Sequence, residues 1–279
     1  MLKIIIPIFN DWVSLSKLLI NINNKLKIKK KIEILIIDDC STKKHFIKNL
    51  NKLRKIYSIK ILRLKENLGS QKAIYFGLKF LQKEKNNFFV TIMDGDGEDN
   101  PSHIKNMLKI AETYDNRVVV SSRKDRRENF LIKYLYKIHL FLTLILTFKW
   151  IDFGNFSTYH SKNIKKILSN KAVLHAYSAG ILKNSRIIKT YSIRSKRYYE
   201  SSKVSFLFLI RHSFKIIGVF YIRALFLSIL YLLINFIFFR DSIYFFLILF
   251  FIINLLVFFN TLEDFNLKKN YIKTVIKMK

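Results

Sequence analysis

Phe88-Phe89-Val90-Thr91-Ile92-Met93-Asp94-Gly95-Asp96-Gly97-Glu98-Asp99-Asn100-Pro101 is the stretch on which the fold turns. Its opening run, Phe88 to Met93, is apolar or β-branched and too short for a helix. It predicts a strand buried on both faces that ends at Asp94. Four acidic side chains then fall within six residues: Asp94, Asp96, Glu98 and Asp99. At a strand end such a group repels itself unless a cation compensates. Hard carboxylate oxygens suit Mg²⁺ or Mn²⁺, and either ion can also bridge a diphosphate. A calcium loop of the EF-hand type needs a ligand at its twelfth position, here Lys105, so that reading fails. A solvated acidic turn stays open as the plain alternative.

The same strand-then-polar pattern recurs upstream. Leu2 to Ile6 is a short β-branched run stopped by Pro7, and Trp12 to Ile28 carries Leu15, Leu18, Leu19 and Ile22 at helical spacing. Ile32 to Ile37 predicts a second buried strand, His45 to Tyr57 a helix, and Ile59 to Leu64 a third strand. Gln71 to Leu81 reads as a helix that follows Gly69. Such alternation, with near-continuous apolar strands, predicts an α/β fold with a parallel-rich sheet covered on both faces. Asn10, Asp38, Asp39, Asn67 and Asp94 all fall just past strand ends. Open α/β sheets bind their ligands there.

The C-terminal part is of another kind. Lys215 to Phe239 is mostly apolar, interrupted by Arg223, and Ile243 to Leu262 is an uncharged apolar run. At 1.5 Å per residue each is long enough to cross a bilayer. Arg240-Asp241-Ser242 between them is too short for a domain, so the two predict a transmembrane hairpin rather than two core helices. Basic residues flank it, Arg211 and Lys215 before and Lys268, Lys269, Lys273 and Lys277 after. By the positive-inside rule both ends then face the cytoplasm, with the catalytic part. Ile138 to Phe148 is too short to span. With Lys133, Lys137 and His139 along it, residues 129–149 read either as an interfacial helix lying on the membrane or as a helix packed on the sheet. The expected division is residues 1–210 for the α/β domain and 211–279 for the hairpin, with spans near 215–239 and 243–262, and a basic tail.

The chain has 279 residues, with 50 Lys and Arg against 19 Asp and Glu, a formal charge of +31. This suggests a polyanion or an anionic membrane surface as partner. The excess is mostly Lys, however, alongside much Asn, Ile, Phe and Tyr and only 2 Pro and 7 Gly, the profile of codon drift in an AT-rich genome. No nucleic-acid motif accompanies it, so nucleic acid is not an expected partner. The single cysteine, Cys40, rules out an internal disulfide framework and a Cys-based zinc site. Met1-Leu-Lys runs straight into Ile4 and then Pro7, too short for a signal peptide.

The acidic stretch has three companions. Pro7-Ile8-Phe9-Asn10-Asp11 follows the first strand, Asp38-Asp39-Cys40-Ser41 the second, and Asn67-Leu68-Gly69-Ser70 with Ala73 and Gly77 follows the third. Together these resemble the family 2 glycosyltransferases, whose strings are Pro-x-Tyr/Phe-Asn-Glu, Asp-Asp-Gly-Ser, Asn-x-Gly-Lys-x-x-Ala and Asp-x-Asp-x-Gln/Glu-Asp-x-Pro. The resemblance covers roughly residues 1 to 125 and implies a GT-A-like nucleotide-sugar-binding domain. It implies a donor site built from Pro7, Phe9, Asn10, Asp11, Asp38, Asp39, Gly69, Ser70 and Asp94. Within it Phe9 and Asp11 border the nucleoside, Asp38 contacts the base, and Asp94 serves the ribose or metal. Asp96 would hold Mg²⁺ or Mn²⁺ on the diphosphate, with Glu98 supporting the metal. Asp11 departs from the longer Glu, Cys40 from Gly, and Ser70 from a common basic residue.

The following region is similar to a narrower group, the polyprenyl-phosphate sugar synthases that include dolichol-phosphate mannose synthase. Ser121-Ser122-Arg123 resembles its Gly-Ser/Thr-Arg, and Asp152-Phe153-Gly154-Asn155-Phe156 its Asp-Phe-Gly-Asp-Phe-Arg, with Ser157 in place of the Arg. Arg197-Tyr198-Tyr199-Glu200-Ser201-Ser202-Lys203 resembles its Arg-x-x-Gly-Glu-Ser-Lys with one residue displaced. This implies transfer to a polyprenyl phosphate or another membrane acceptor. Departure of the nucleoside diphosphate develops negative charge, offset by a metal at Asp96 and by a nearby cation. Arg197 and Lys203 are candidates for closing over the donor, or else form a basic segment meeting anionic lipid. A lipid-phosphate acceptor is already ionised, and Arg123 and Lys137 would hold its charge. A hydroxyl acceptor in envelope glycan synthesis would instead need a base such as Asp99 or Asp152. The competing reading of another class is an inactive, membrane-tethered nucleotide binder. Oligomer formation stays open.

Overall fold

The computed structural model describes residues 1–43, 47–48, 50–124, 130–199, 206–238, 243–262 and 271–279. The chain divides into two compact units. The first comprises Met1–Arg126, Phe153–Ser202 and Lys268–Lys279, and the second Arg127–Asp152 and Lys203–Leu267.

In the first unit, β1 (Leu2–Ile8), β2 (Ile32–Asp38), β3 (Ile56–Leu64) and β4 (Phe89–Ile92) alternate with α1 (Trp12–Lys25) and α2 (Ser70–Leu81). The parallel pairs are β1 with β2, β1 with β4 and β2 with β3, in a register that brings Ile4 beside Ile34 and Thr91. All seven residues of β1 are buried, the signature of a strand covered on both faces. Successive side chains point to opposite faces. Ile4 and Ile6 join a core cluster with Leu15, Leu18 and Leu19 of α1 and with Met107 and Leu108 of α3 (Ile104–Thr113). Ile5 points the other way, toward Gly77 of α2. Each isoleucine so buried contributes roughly 1.5–3 kcal/mol.

The sheet then becomes mixed. Its strand order is β7-β5-β6-β4-β1-β2-β3-β8. Here β5 is Val118–Lys124, β6 is Phe153–His160, β7 is Ile187–Ile193 and β8 is Ile272–Lys277. Strand β6 runs antiparallel to both β4 and β5, whereas β5 and β7 are parallel. Strand β8 returns from beyond the apolar helices to pair antiparallel with β3, Ile61 opposite Ile276. The basic tail is thus partly an edge strand of the sheet, an element the sequence reading did not foresee. Part of the expected His45–Tyr57 helix lies outside the described residues. What is described there is a single 3₁₀ turn, Leu50–Lys52, with β3 beginning at Ile56.

The second unit is helical. It contains α4 (Phe130–Thr147), then, after the short α5 (Ile164–Ile167), α6 (Ala172–His175) and α7 (Tyr177–Asn184) of the first unit, α8 (Phe206–Gly218), α9 (Tyr221–Phe238) and α10 (Ile243–Leu262). Leu146, Ile217, Ala224 and Val257 form its small core. Arg223 donates to the Thr147 carbonyl at 3.2 Å and Tyr231 to that of Ile145 at 2.9 Å, which fastens α9 to α4. The apolar run from Lys215 is broken at Val219-Phe220, so the first long helix is Tyr221–Phe238. Tyr221–Phe238 and Ile243–Thr261 are long and apolar enough to cross a membrane, and only 11% and 6% of them is buried in the protein. Core helices of a soluble domain bury their apolar faces; these expose Ile222, Phe226, Phe238 and Tyr244.

Candidate active site

Three strand ends and one extended segment build the site, all within the first unit. At the end of β1, Phe9 is 44% exposed, while Asn10 sits at a left-handed φ of 56°. The Asn10 side-chain Oδ1 accepts from the Thr42 and Lys43 backbone amides at 2.9 and 3.0 Å, and the Asn10 backbone N–H donates to Ser41 Oγ at 2.9 Å. Asn10 therefore ties the first loop to the second. Asp11 caps α1 by accepting from the Ser14 amide at 3.3 Å, the ordinary use of a short acidic side chain at a helix start.

At the end of β2, Asp38 is fully buried, accepts from the Ser41 amide at 2.8 Å and lies 3.7 Å from Arg63. Asp39 is buried too, with its oxygens receiving the Leu68 and Gly69 amides, each at 2.8 Å. Burial pushes the Asp39 carboxyl above its usual range, and the two amides oppose that rise. These bonds hold Gly69, at φ +86°, in place as the entry to α2, whose first residue is Ser70.

The acidic loop after β4 is internally braced. Asp99 accepts from the Asp94 amide at 2.9 Å, and Asp96 from the Glu98 amide at 3.0 Å. Asn155 of β6 donates to Asp94 Oδ1 at 2.9 Å. Across the loop runs residues 194–199. Arg197 pairs with Asp96 at 2.8 Å and with Glu98 at 3.3 Å, and Arg194 pairs with Glu98. The Ser195 amide bonds to the Glu98 carbonyl at 2.9 Å and the Tyr198 amide to that of Asp96 at 3.1 Å. The Tyr198 ring packs directly on Gly97, Asn21 donates to its hydroxyl at 2.5 Å, and Lys17 sits 4.9 Å over its face. Burial lowers the Arg194 guanidinium from its usual value, against the opposing pull of Asp96 and Asp94.

A family profile described as glycosyl transferase family 2 matches residues 3–186, well over half of the chain. The chain is a family 2 glycosyltransferase. A curated relative, dodecaprenyl-phosphate galacturonate synthase of Rhizobium johnstonii, is 24% identical over 195 residues. That match takes in 67% of this chain and 56% of the relative, so the chain spans little more than half of that protein's length. Among solved structures, S. aureus TarS 1-349 with UDP-GlcNAc superposes with a TM-score of 0.52 at 20% identity, over 86% of this chain and 74% of that one. Glucosyl-3-phosphoglycerate synthase from Mycobacterium tuberculosis, with Mn²⁺, UDP and phosphoglyceric acid, does so with a TM-score of 0.51 at 13% identity, over 80% and 78%. Likeness at these identities shows a shared GT-A-like fold.

For this glycosyltransferase, the donor chemistry of the acidic loop fits a hard divalent cation. Asp94 has one oxygen on Asn155, and its other oxygen has no hydrogen-bond partner among the described residues. Asp96 lies two residues on in the same braced loop. Among the described residues no three His, Cys, Asp or Glu side chains gather as a ready cage. Mg²⁺ and Mn²⁺ sites of this class need none, since one or two carboxylates are completed by substrate phosphate and water. Both Asp96 and Glu98, expected to hold and support the metal, are paired with arginine, Asp96 with Arg197 and Glu98 with Arg194 and Arg197.

The structure brings Phe9, Asn10, Asp11, Asp38, Asp39, Gly69, Ser70, Asp94, Asp96, Glu98 and Arg197 into the same unit, and Pro7 pairs beside Ile37 in the sheet. Asp152 and Lys137 belong to the second unit. Arg123 lies in β5 with its side chain outside the described residues, and Lys203 lies outside them altogether. Sequence reasoning missed Arg194, Gln71 and the bonding of Asn155. Arg194 stands three residues before Arg197 in a segment without periodicity, and only the density of basic residues there hinted at it.

Proposed function

We propose that this glycosyltransferase moves a sugar from a nucleotide-sugar donor to a polyprenyl phosphate at the membrane. The observation that carries the reading is the pairing, in one chain, of a family 2 domain with two long helices that leave their apolar side chains exposed. Helices of that length can hold a transferase at the bilayer, where a lipid acceptor lies. The curated relative, a dodecaprenyl-phosphate galacturonate synthase, supports the same acceptor class.

In this reading an acceptor phosphate oxygen attacks the anomeric carbon while the bond from that carbon to the nucleoside diphosphate breaks. The acceptor is already ionised, so no general base is required. Phe9 and Asp38 line the nucleoside side, and Asp94 and Asp96 hold Mg²⁺ or Mn²⁺. When bound, that ion offsets charge on the departing diphosphate. Arg197 adds a second cation close to Asp96, and a basic side chain such as Arg123 receives the acceptor phosphate. Both α9 and α10 cross the bilayer, which leaves the catalytic unit and the chain's two ends on the cytoplasmic side. Support comes from β8, which follows the second crossing yet pairs with β3.

Incubating the purified chain with a panel of nucleotide sugars and a polyprenyl phosphate, then identifying lipid products by mass spectrometry, tests the acceptor. The expected result is one lipid-linked sugar. If no donor yields a lipid product, the acceptor assignment fails and the hydroxyl-acceptor reading replaces it.

A further inference from the structure

Gln71, Asn155 and Asp94, from three separate elements, form one directed chain of hydrogen bonds that ends on the acidic loop. The Tyr177 backbone N–H donates to Gln71 Oε1 at 2.6 Å, and Gln71 Nε2 donates to Asn155 Oδ1 at 3.2 Å. Asn155 Nδ2 then donates to Asp94 Oδ1 at 2.9 Å. Both ends fix the direction. A backbone N–H only donates and a carboxylate only accepts, so each amide between them has a single orientation that satisfies every bond. The origin of the chain is rigid as well. Tyr177 is fully buried, and its hydroxyl bonds with Ser157 Oγ at 2.8 Å and with the Tyr159 hydroxyl at 3.2 Å.

We propose that Gln71 and Asn155 are positioning residues for sugar transfer: they fix one oxygen of Asp94 so that the other faces the donor and its metal. The proposal rests on the reading of Asp94 as a metal or donor ligand. An amide suits this task because it supplies a donor without adding charge. Asp94 stays an anion with one oxygen pinned, and partners of this kind commonly set the orientation and affinity of a ligating carboxylate. Gln71 has a further consequence of place. It is the second residue of α2, whose entry at Gly69 is bonded to Asp39 at 2.8 Å. The loop that opens α2 and the loop that carries Asp94 are therefore braced against the same helix end.

The test is Mn²⁺ affinity, measured by electron paramagnetic resonance of free Mn²⁺ on the full chain in detergent, with UDP and GDP in separate runs. Asn155→Ala and Gln71→Glu should each weaken Mn²⁺ binding by about tenfold or more, the usual cost of losing an outer support of a metal ligand. Gln71→Leu should cost less than Gln71→Glu. Leucine merely removes a support, whereas glutamate turns an acceptor toward Asn155 Oδ1 and drives that amide to flip its oxygen onto Asp94. Because Gln71 acts through Asn155, the double variant Asn155→Ala/Gln71→Glu should bind no more weakly than Asn155→Ala alone. Circular dichroism checks folding, and the Gln71 pair gives the answer even if the β6 variant is unstable. Wild-type affinity in Gln71→Glu, or additive losses in the double variant, overturns the proposal. Asp94→Asn separates the two levels. If it too binds Mn²⁺ as wild type does, the reading of Asp94 itself is wrong; if it alone is weakened, only the positioning chain falls.

Discussion

Cys40 shows how a single position carries the backbone demand of a site. It sits at φ 61°, a left-handed conformation that costs a residue with a Cβ about 1–2 kcal/mol, just past the buried Asp38 and Asp39. Its thiol recovers a little by bonding to the Lys65 carbonyl at 3.3 Å. Cys40→Val should lower stability by about 1–2 kcal/mol, since a β-branched side chain tolerates positive φ least. Cys40→Gly should leave the melting temperature level or slightly raised. Equal melting temperatures for the two variants would show that backbone conformation is not what matters here. Asp96 makes a different demand, one of charge. Asp96→Ala should lower turnover on the order of 100-fold or more, with circular dichroism unchanged because Glu98 still engages Arg194 and Arg197. Near-normal turnover in that variant, or full activity in excess EDTA, would remove the metal from the mechanism.

At the scale of elements, what could be read from the chain depended on how local its signal is. Strands β1 and β2 announce themselves because a strand covered on both faces is apolar along nearly its whole length, as at Ile4, Ile5, Ile6 and Ile34 to Ile37. The acidic string was legible for a related reason, four charges crowded within one loop. Strand β8 was not: Ile272-Lys-Thr-Val-Ile-Lys277 is largely exposed and owes its conformation to a partner more than two hundred residues away. Gln71 and Asn155 were hidden in the same way, by lying on α2 and β6. The break between α8 and α9 did leave a mark, Gly218, where a Cβ would strike Thr261 of α10. Residues 194–199 are an extended segment with no periodicity, and their position over the acidic loop depends on Gly97. That glycine has φ +89°, and the Tyr198 ring occupies the space a Cβ would fill. Gly97→Ala should therefore displace the segment, at a cost of about 1–3 kcal/mol in stability. Hydrogen exchange at the Ser195 and Tyr198 amides should rise with it. Unchanged exchange at those two amides would mean that the segment is held without this contact.

For the whole molecule, the sheet constrains how the chain can thread a bilayer. Strand β8 begins ten residues after α10 ends, yet it forms bonds with β3, as in the Met278 amide to the Ile59 carbonyl at 2.9 Å. A chain that leaves the sheet, crosses a membrane once and stays there has no means of returning to it. Two crossings bring it back; so do none. Two crossings are proposed over none because side chains of α9 and α10, such as Ile222, Phe226, Tyr244 and Phe245, are more than three-fifths exposed. Leaving these in water would forgo roughly 25 cal/mol for every Å² of apolar surface, over two helices of 18 and 20 residues. Lys273, Lys277 and Lys279 after the hairpin and Arg211 and Lys215 before it add the positive-inside bias for the cytoplasmic side. Reporter fusions at Met1 and Lys279 should consequently both signal cytoplasm, while a cysteine placed at Ser242 should be labelled from the opposite side by an impermeant reagent. A Lys279 reporter on the far side would refute the two-crossing arrangement and the pairing of β8 with β3 together. Labelling at 242 from the cytoplasmic side only would keep that pairing and show instead that the two helices lie along the membrane surface.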